Sequence, residues 1–307
     1  MRCRTGVAAM LVLLALSIGG VPRPAWAQVN AVGAPAAALP PALRAVVAEV
    51  RQSLAAGNPA AAARLLGGSL RSNPSEARQL ALAVFSPGLP VTPALVEATV
   101  QATVLGLAGA PNAAPLLGSF ANGAAQALAP SGAPFVQALT NGAAQAVIST
   151  TGGNPQTAAG LIQTATAGAV QGVLSASSSG AGPGGSASLI EGAVSGALLG
   201  AAAGATKTAD PSTATGTAEA ITSAVRTGAL DGAGLAGGGP AVAGVVTQAI
   251  NAGLDNEQVQ GQARTLISTV APGVTTPQIQ NQTQLQNQTL SQTPVISLPT
   301  PPHSSAN

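Results

Sequence analysis

The sequence predicts an all-α protein, an Ala/Gly-rich set of irregular helical repeats or a bundle, with a disordered tail at its C-terminal end. Three observations lead there. A short polar residue followed by proline recurs along the chain, as it does where helices begin. Six segments share one helical face, with large apolar residues at its start and glycines further along. From Ala271 the composition turns to Gln, Asn, Thr and Pro, which offers little to bury.

The chain opens "MRCRTGVAAMLVLLALSIGGVPRPAWA". Arg2 and Arg4 precede an apolar run from Val7 to Ile18, and Ala25-Trp26-Ala27 has the small-x-small form of a cleavage site. These features predict a secretory signal peptide over residues 1–27. The run is shorter than the twenty or so residues that a spanning helix needs. Cys3 lies before the run, not at its end, so the lipoprotein arrangement is not met and the mature chain has no cysteine for disulfides. Removal of Arg2, Arg4 and Arg23 leaves eight basic residues against nine acidic ones. The basic balance therefore belongs to the leader, and the clustered Lys and Arg of a nucleic-acid surface are missing.

A first domain segment, 28–91, contains amphipathic helices. "LRAVVAEVRQSL" places Leu43, Val46, Val47, Val50 and Leu54 on one face and Arg44, Glu49, Arg51 and Gln52 off it. Asn58-Pro59 and Asn73-Pro74 announce two more helices, with Asn as N-cap and Pro at N1, and Glu76 placed to complete a capping box. Thr92-Pro93, Asn154-Pro155 and Asp210-Pro211 repeat this punctuation. Eight to ten helices are expected in all.

The segment 92–270 reads as the repeat region. Its units start at Leu116, Phe135, Leu161, Leu189, Ile221 and Val246. Position five is then Phe120, Leu139, Ala165, Ala193, Val225 and Ile250, and position eight is Gly123, Gly142, Gly168, Gly196, Gly228 and Gly253. Position twelve is Ala127, Ala146, Gly172, Gly200 and Gly232, then Glu257. Unequal spacings between the starts exclude a fixed-length solenoid repeat, and compositional bias in an Ala/Gly-rich chain is the competing account of the pattern. "SASSSGAGPGGSAS" (175–188) and "GLAGGGP" (234–240) read as flexible linkers. Residues 271–307 form the expected disordered tail, with NQT sequons at Asn281 and Asn287.

Within "EGAVSGALLGAAAG", Gly192, Gly196, Gly200 and Gly204 recur every fourth residue. Glycine inside a helix costs about 1 kcal/mol relative to alanine, so a close backbone approach along this stripe must offset the loss. The segment, over about 188–206, resembles the glycine-zipper helices of bacterial envelope proteins. That resemblance implies envelope association and helix pairing, not catalysis. Two readings stay open: the stripe packs against another helix of the same soluble chain, or it pairs helices within a membrane.

Catalytic, cofactor-binding and metal sites are not expected. His303, in the tail, is the one histidine, so a nucleophile pair lacks a base. The acids are scattered, and the nearest pair, Asp255 and Glu257, would point to different faces of a helix. "GAGPGG" (180–185) and "GAGLAG" (232–237) match a dinucleotide-loop spacing without a preceding strand, and Thr206 occupies the glycine position that a phosphate loop ending at Lys207 would require. The expected site is therefore a set of helix-packing glycines: Gly123, Gly142, Gly168, Gly192, Gly196, Gly200, Gly204, Gly228 and Gly253. The functional expectation is an exported, periplasmic or extracellular, non-enzymatic helical protein with no cofactor, no nucleic-acid partner, and self or an envelope protein as partner. The alternative is a glycine-zipper protein that inserts or oligomerises in a membrane.

Overall fold

The computed structural model describes residues 39–255, apart from 108, 153, 179–182, 209–210 and 238–239. The expected signal peptide, the tail with its sequons and His303, and Glu257 lie outside the described residues. The described residues form ten α-helices: α1 Pro41–Ala55, α2 Pro59–Ser72, α3 Ala77–Val84, α4 Pro93–Leu107, α5 Ala113–Leu128, α6 Ala133–Thr150, α7 Pro155–Ser177, α8 Pro183–Thr208, α9 Pro211–Leu235 and α10 Pro240–Leu254. The described residues contain no strand. The protein is all-α.

Seven of the ten helices begin on proline, where the missing N–H would have had no intrahelical partner. Asn58 Oδ1 accepts from Ala61 N at 3.1 Å and Asn154 Oδ1 from Thr157 N at 3.1 Å, so both cap as the sequence suggests. Thr92 Oγ1 accepts more weakly from Leu95 N at 3.3 Å. Gly57, with φ +69°, closes α1 in the left-handed region and lets its own N–H donate to the Leu54 carbonyl.

Asn73-Pro74 departs from the expectation. Asn73 ends α2 instead of opening α3, because its N–H and its Nδ2 both donate to the Ser69 carbonyl. The chain then makes a 3-10 turn over Pro74–Glu76, and Glu76 forms no capping box. The two expected linkers are also shorter than their composition suggests. Helix α7 continues to Ser177, with the Ser175 and Ser177 hydroxyls donating to the carbonyls of Gln171 and Val173, and α8 resumes at Pro183. Likewise α9 holds to Leu235 and α10 starts at Pro240.

Packing follows one rule. Each helix from α4 onward lies mainly against the helix two before it in sequence, with lighter contacts to its immediate neighbours. The helices thus form two rows, α3-α5-α7-α9 and α2-α4-α6-α8-α10, with α1 laid across the start. One continuous core runs from Leu39 to Ile250, through both sides of residue 91. Its large, fully enclosed side chains include Leu54, Leu66, Leu80, Phe120, Leu139 and Ile190, and Phe85 meets Phe120 edge-on at 6.3 Å. Toward the later helices alanine and valine take over, so less area is buried per residue and the helices must come closer to exclude water. Buried hydroxyls turn back onto their own helix: Thr99 Oγ1 donates to the Leu95 carbonyl and Thr103 Oγ1 to the Thr99 carbonyl, both at 2.7 Å.

Candidate functional site

The nine glycines singled out by their spacing all lie in the seams between helices of the same row. Position eight of each unit rests on a helix two earlier: Gly123 on the Arg78 carbonyl of α3, Gly142 on Glu97 of α4, Gly168 on Gly118 of α5, Gly196 on Gln137 of α6, Gly228 on Gln163 of α7, and Gly253 on the Val194 side chain of α8 with the Glu191 carbonyl beyond it. Four residues on, Gly172, Gly200 and Gly232 rest on the carbonyls of Asn122, Asn141 and Ala167. In α8 the stripe is longest. Gly192, Gly196, Gly200 and Gly204 meet Ala133, Gln137, Asn141 and Gln145 in turn, Gly204 also meeting Ile148. Numbers rise together on both sides of this seam, so the paired helices are parallel and the intervening one runs the other way.

The physical reason for glycine is direct. At Gly168, Gly200 and Gly228 a Cβ would stand 2.9–3.1 Å from the Cα of Gly118, Asn141 and Gln163 and closer still to their carbonyls. Real side chains essentially never come that near, so only glycine lets these backbones meet. The Cα–H groups then point at carbonyl oxygens, contacts worth about 0.5–1 kcal/mol each. By contrast Gly68, Gly106, Gly160 and Gly244 face open space.

A second feature, which the spacing argument missed, is a set of polar rungs beside the glycine seams. Arg78 Nε donates to Asn122 Oδ1 at 3.1 Å and Arg78 Nη2 to Gln126 Oε1 at 2.8 Å. Asn122 Nδ2 donates to Gln171 Oε1 at 2.6 Å, and Gln171 Nε2 reaches the Leu235 carbonyl at 3.4 Å. One connected line of hydrogen bonds thus ties α3, α5, α7 and α9. Gln163 Nε2 adds a bond to Asp231 Oδ2 at 2.9 Å. In the other row Gln101 donates to Gln145, while Asn141 Oδ1 is buried without a hydrogen bond. The signal was present in the sequence: NGAAQA occurs twice, at 122–127 and 141–146, and its Asn and Gln are the rung positions seven and eleven.

Charge concentrates at the start of the array, since no Lys or Arg lies between Arg78 and Lys207. Arg51 of α1 has a structural task there. Its Nη1 donates to the carbonyls of Ala83, Val84 and Ser86 and to Ser86 Oγ at 2.8–3.3 Å, placing a cation at the C-terminal end of α3. On α9, burial pushes the Arg226 guanidinium below its ordinary value.

The remaining sequence motifs do not converge on a site. Gly232 to Leu235 of "GAGLAG" is the last turn of α9, and Gly237 follows in a left-handed turn. Asp255 is exposed beyond α10, and no three metal-binding side chains come together among the described residues. Gly185–Ala205 is long and apolar enough to cross a membrane, and 72% of that window is buried inside the protein. The chain matches no protein-family model, no curated protein and no solved structure. The glycine seams and polar rungs together hold the helices of each row in register.

Proposed function

We propose that the chain is an exported, non-enzymatic scaffold of the bacterial cell envelope, acting through the surfaces of its stacked helices toward itself or an envelope protein. One observation carries this reading: the whole stripe Gly192 to Gly204 is occupied by α6 of the same chain. An array joined by neighbour contacts has sides of regular spacing, the form on which extended binding surfaces are built. The leader-like first 27 residues supply the export part of the proposal.

The membrane alternative, a glycine zipper that inserts or oligomerises, keeps one specific support in the length and hydropathy of Gly185–Ala205. Cell fractionation separates the two. The scaffold is released by osmotic shock, or is found in the medium, and is helical by circular dichroism without detergent. Recovery in the pellet after a carbonate wash, with detergent needed for release, would establish the zipper instead.

A further inference from the structure

The early and late helices of the array leave two bare faces of the same pattern. Among the described residues the exposed large apolar side chains are Leu65, Leu105, Leu230 and Leu235, carried by α2, α4 and α9, with none on α5 to α8. On α2, Leu65 shares a face with Ala61, Gly68 and Ser72, and on α9 Leu230 shares one with Ser223, Thr227 and Gly234. Both sets advance by four, three and four residues. Leu65 is 37% exposed and Leu230 43%, and a Cβ on Gly68 or Gly234 would meet nothing within 4 Å. On each helix a leucine thus stands beside a gap. Charge runs in opposite senses at these two places. Residues 41–84 carry five arginines and two glutamates, and Arg64 and Arg71 are exposed one turn to either side of Gly68. Residues 211–255 carry Arg226 against Glu219, Asp231 and Asp255, and Asp231 is exposed one turn beyond Thr227.

We propose that this face of α9 receives α2 of a second copy of the chain, so that copies assemble head to tail; the inference rests on the scaffold reading, which it deepens by naming the chain itself as a partner. The two helices lie parallel, as neighbours of one row do within the chain. Ala61, Leu65, Gly68 and Ser72 then stand opposite Ser223, Thr227, Leu230 and Gly234. Leu230 enters the gap at Gly68, Leu65 lies over the smaller Thr227, and Asp231 comes beside Arg71. Contact between like faces would instead set Arg71 near Arg71 or Asp231 near Asp231, which opposes it. A contact between two different faces need not close on itself. The second copy therefore keeps its own α9 open to a third.

Exchanging charge between two chains tests this. Arg71→Asp and Asp231→Arg should each weaken self-association of the full chain, followed by sedimentation, about tenfold, because each sets like charges across the contact. An equimolar mixture of the two variants should associate as the parent chain does, since the altered α2 of one meets the altered α9 of the other. Circular dichroism checks that each variant is folded. Mild oxidation reports the register. With Cys3→Ser throughout, chains carrying Gly68→Cys and Leu230→Cys should form a mixed disulfide dimer, whereas either alone, or Gly160→Cys mixed with Leu230→Cys, should not. A parent chain that stays monomeric, a mixture no more associated than its components, or a disulfide dimer of Leu230→Cys alone would overturn the proposal, the last by pairing like faces. A helical monomer released by osmotic shock would leave the scaffold reading standing and remove self-assembly alone, while recovery in the carbonate-washed pellet would remove both.

Discussion

Alanine substitution at two glycines separates close packing from mere composition, because the two changes should act with opposite sign. Gly160 lies within α7 with nothing near its missing Cβ. Gly160→Ala should therefore stabilise by about 1 kcal/mol, the difference in helix propensity. Gly200 gains the same propensity, but its new methyl would sit 2.8 Å from the Asn141 carbonyl carbon and 2.9 Å from its Cα. Backbone cannot rotate away as a side chain would. Because the Asn141 carbonyl oxygen would lie only 2.1 Å from that methyl, helix α6 has to retreat by more than about 1 Å to restore ordinary C···O contact, and overpacking of this kind costs about 1–3 kcal/mol. Loss of contact spreads along the α6–α8 seam, since Gly196 and Gly204 are lifted with it. The net change should run from near neutral to about 2 kcal/mol destabilising, which corresponds to a fall of several degrees in Tm if about 2–4 °C accompanies each kcal/mol in a chain of this size. Urea and thermal unfolding followed by circular dichroism measure both variants. If Gly200→Ala raises stability as Gly160→Ala does, the close-approach reasoning is refuted.

Further outcomes follow from the polar contacts. Asn122→Ala removes the central rung and leaves Gln171 Oε1 and Arg78 Nε without their partner, so unfolding free energy should fall by about 1–3 kcal/mol; an unchanged denaturation midpoint would remove the rung from the account. Arg51→Ala deletes four hydrogen bonds at the end of α3 and should destabilise by about 1–2 kcal/mol, with Arg51→Lys recovering only part because a single ammonium does not match the guanidinium geometry. Asn154→Ala should cost about 0.5–2 kcal/mol through loss of the α7 cap, whereas Asn73→Ala, which removes no N-cap bond, should cost less; equal effects would contradict the cap assignment.

The helical fold was legible because its signals are local. Pro at N1 and the capping Asn58 and Asn154 act within one turn, and the apolar face of α1 is a periodicity that no partner is needed to see. Asn73 misled for a physical reason: the same side chain can cap the start of one helix or the carbonyls at the end of another, and the choice depends on the preceding turn. Serine and glycine between 175 and 188 read as linker because their propensity is low, yet packing of the helix on both sides outweighs it. For the site, the four-residue glycine spacing was readable, but not its partner. That Gly200 meets Asn141 and Gly228 meets Gln163 is a fact of register between segments 59 and 65 residues apart. The rungs escaped notice because position seven is Asn122 and Asn141 in two units but Ala167 and Ser195 in the next two, so the pattern fades along the chain.

Contacts between Hα protons across the seams test the central claim most directly. Parallel main-chain contact predicts nuclear Overhauser effects linking Gly168 to Gly118, Gly200 to Asn141 and Gly228 to Gln163, all within the roughly 5 Å that such effects reach given the separations of these backbones. Absence of all three in a folded, helical sample would show that the helices do not meet backbone to backbone, and the scaffold built on that contact would be wrong.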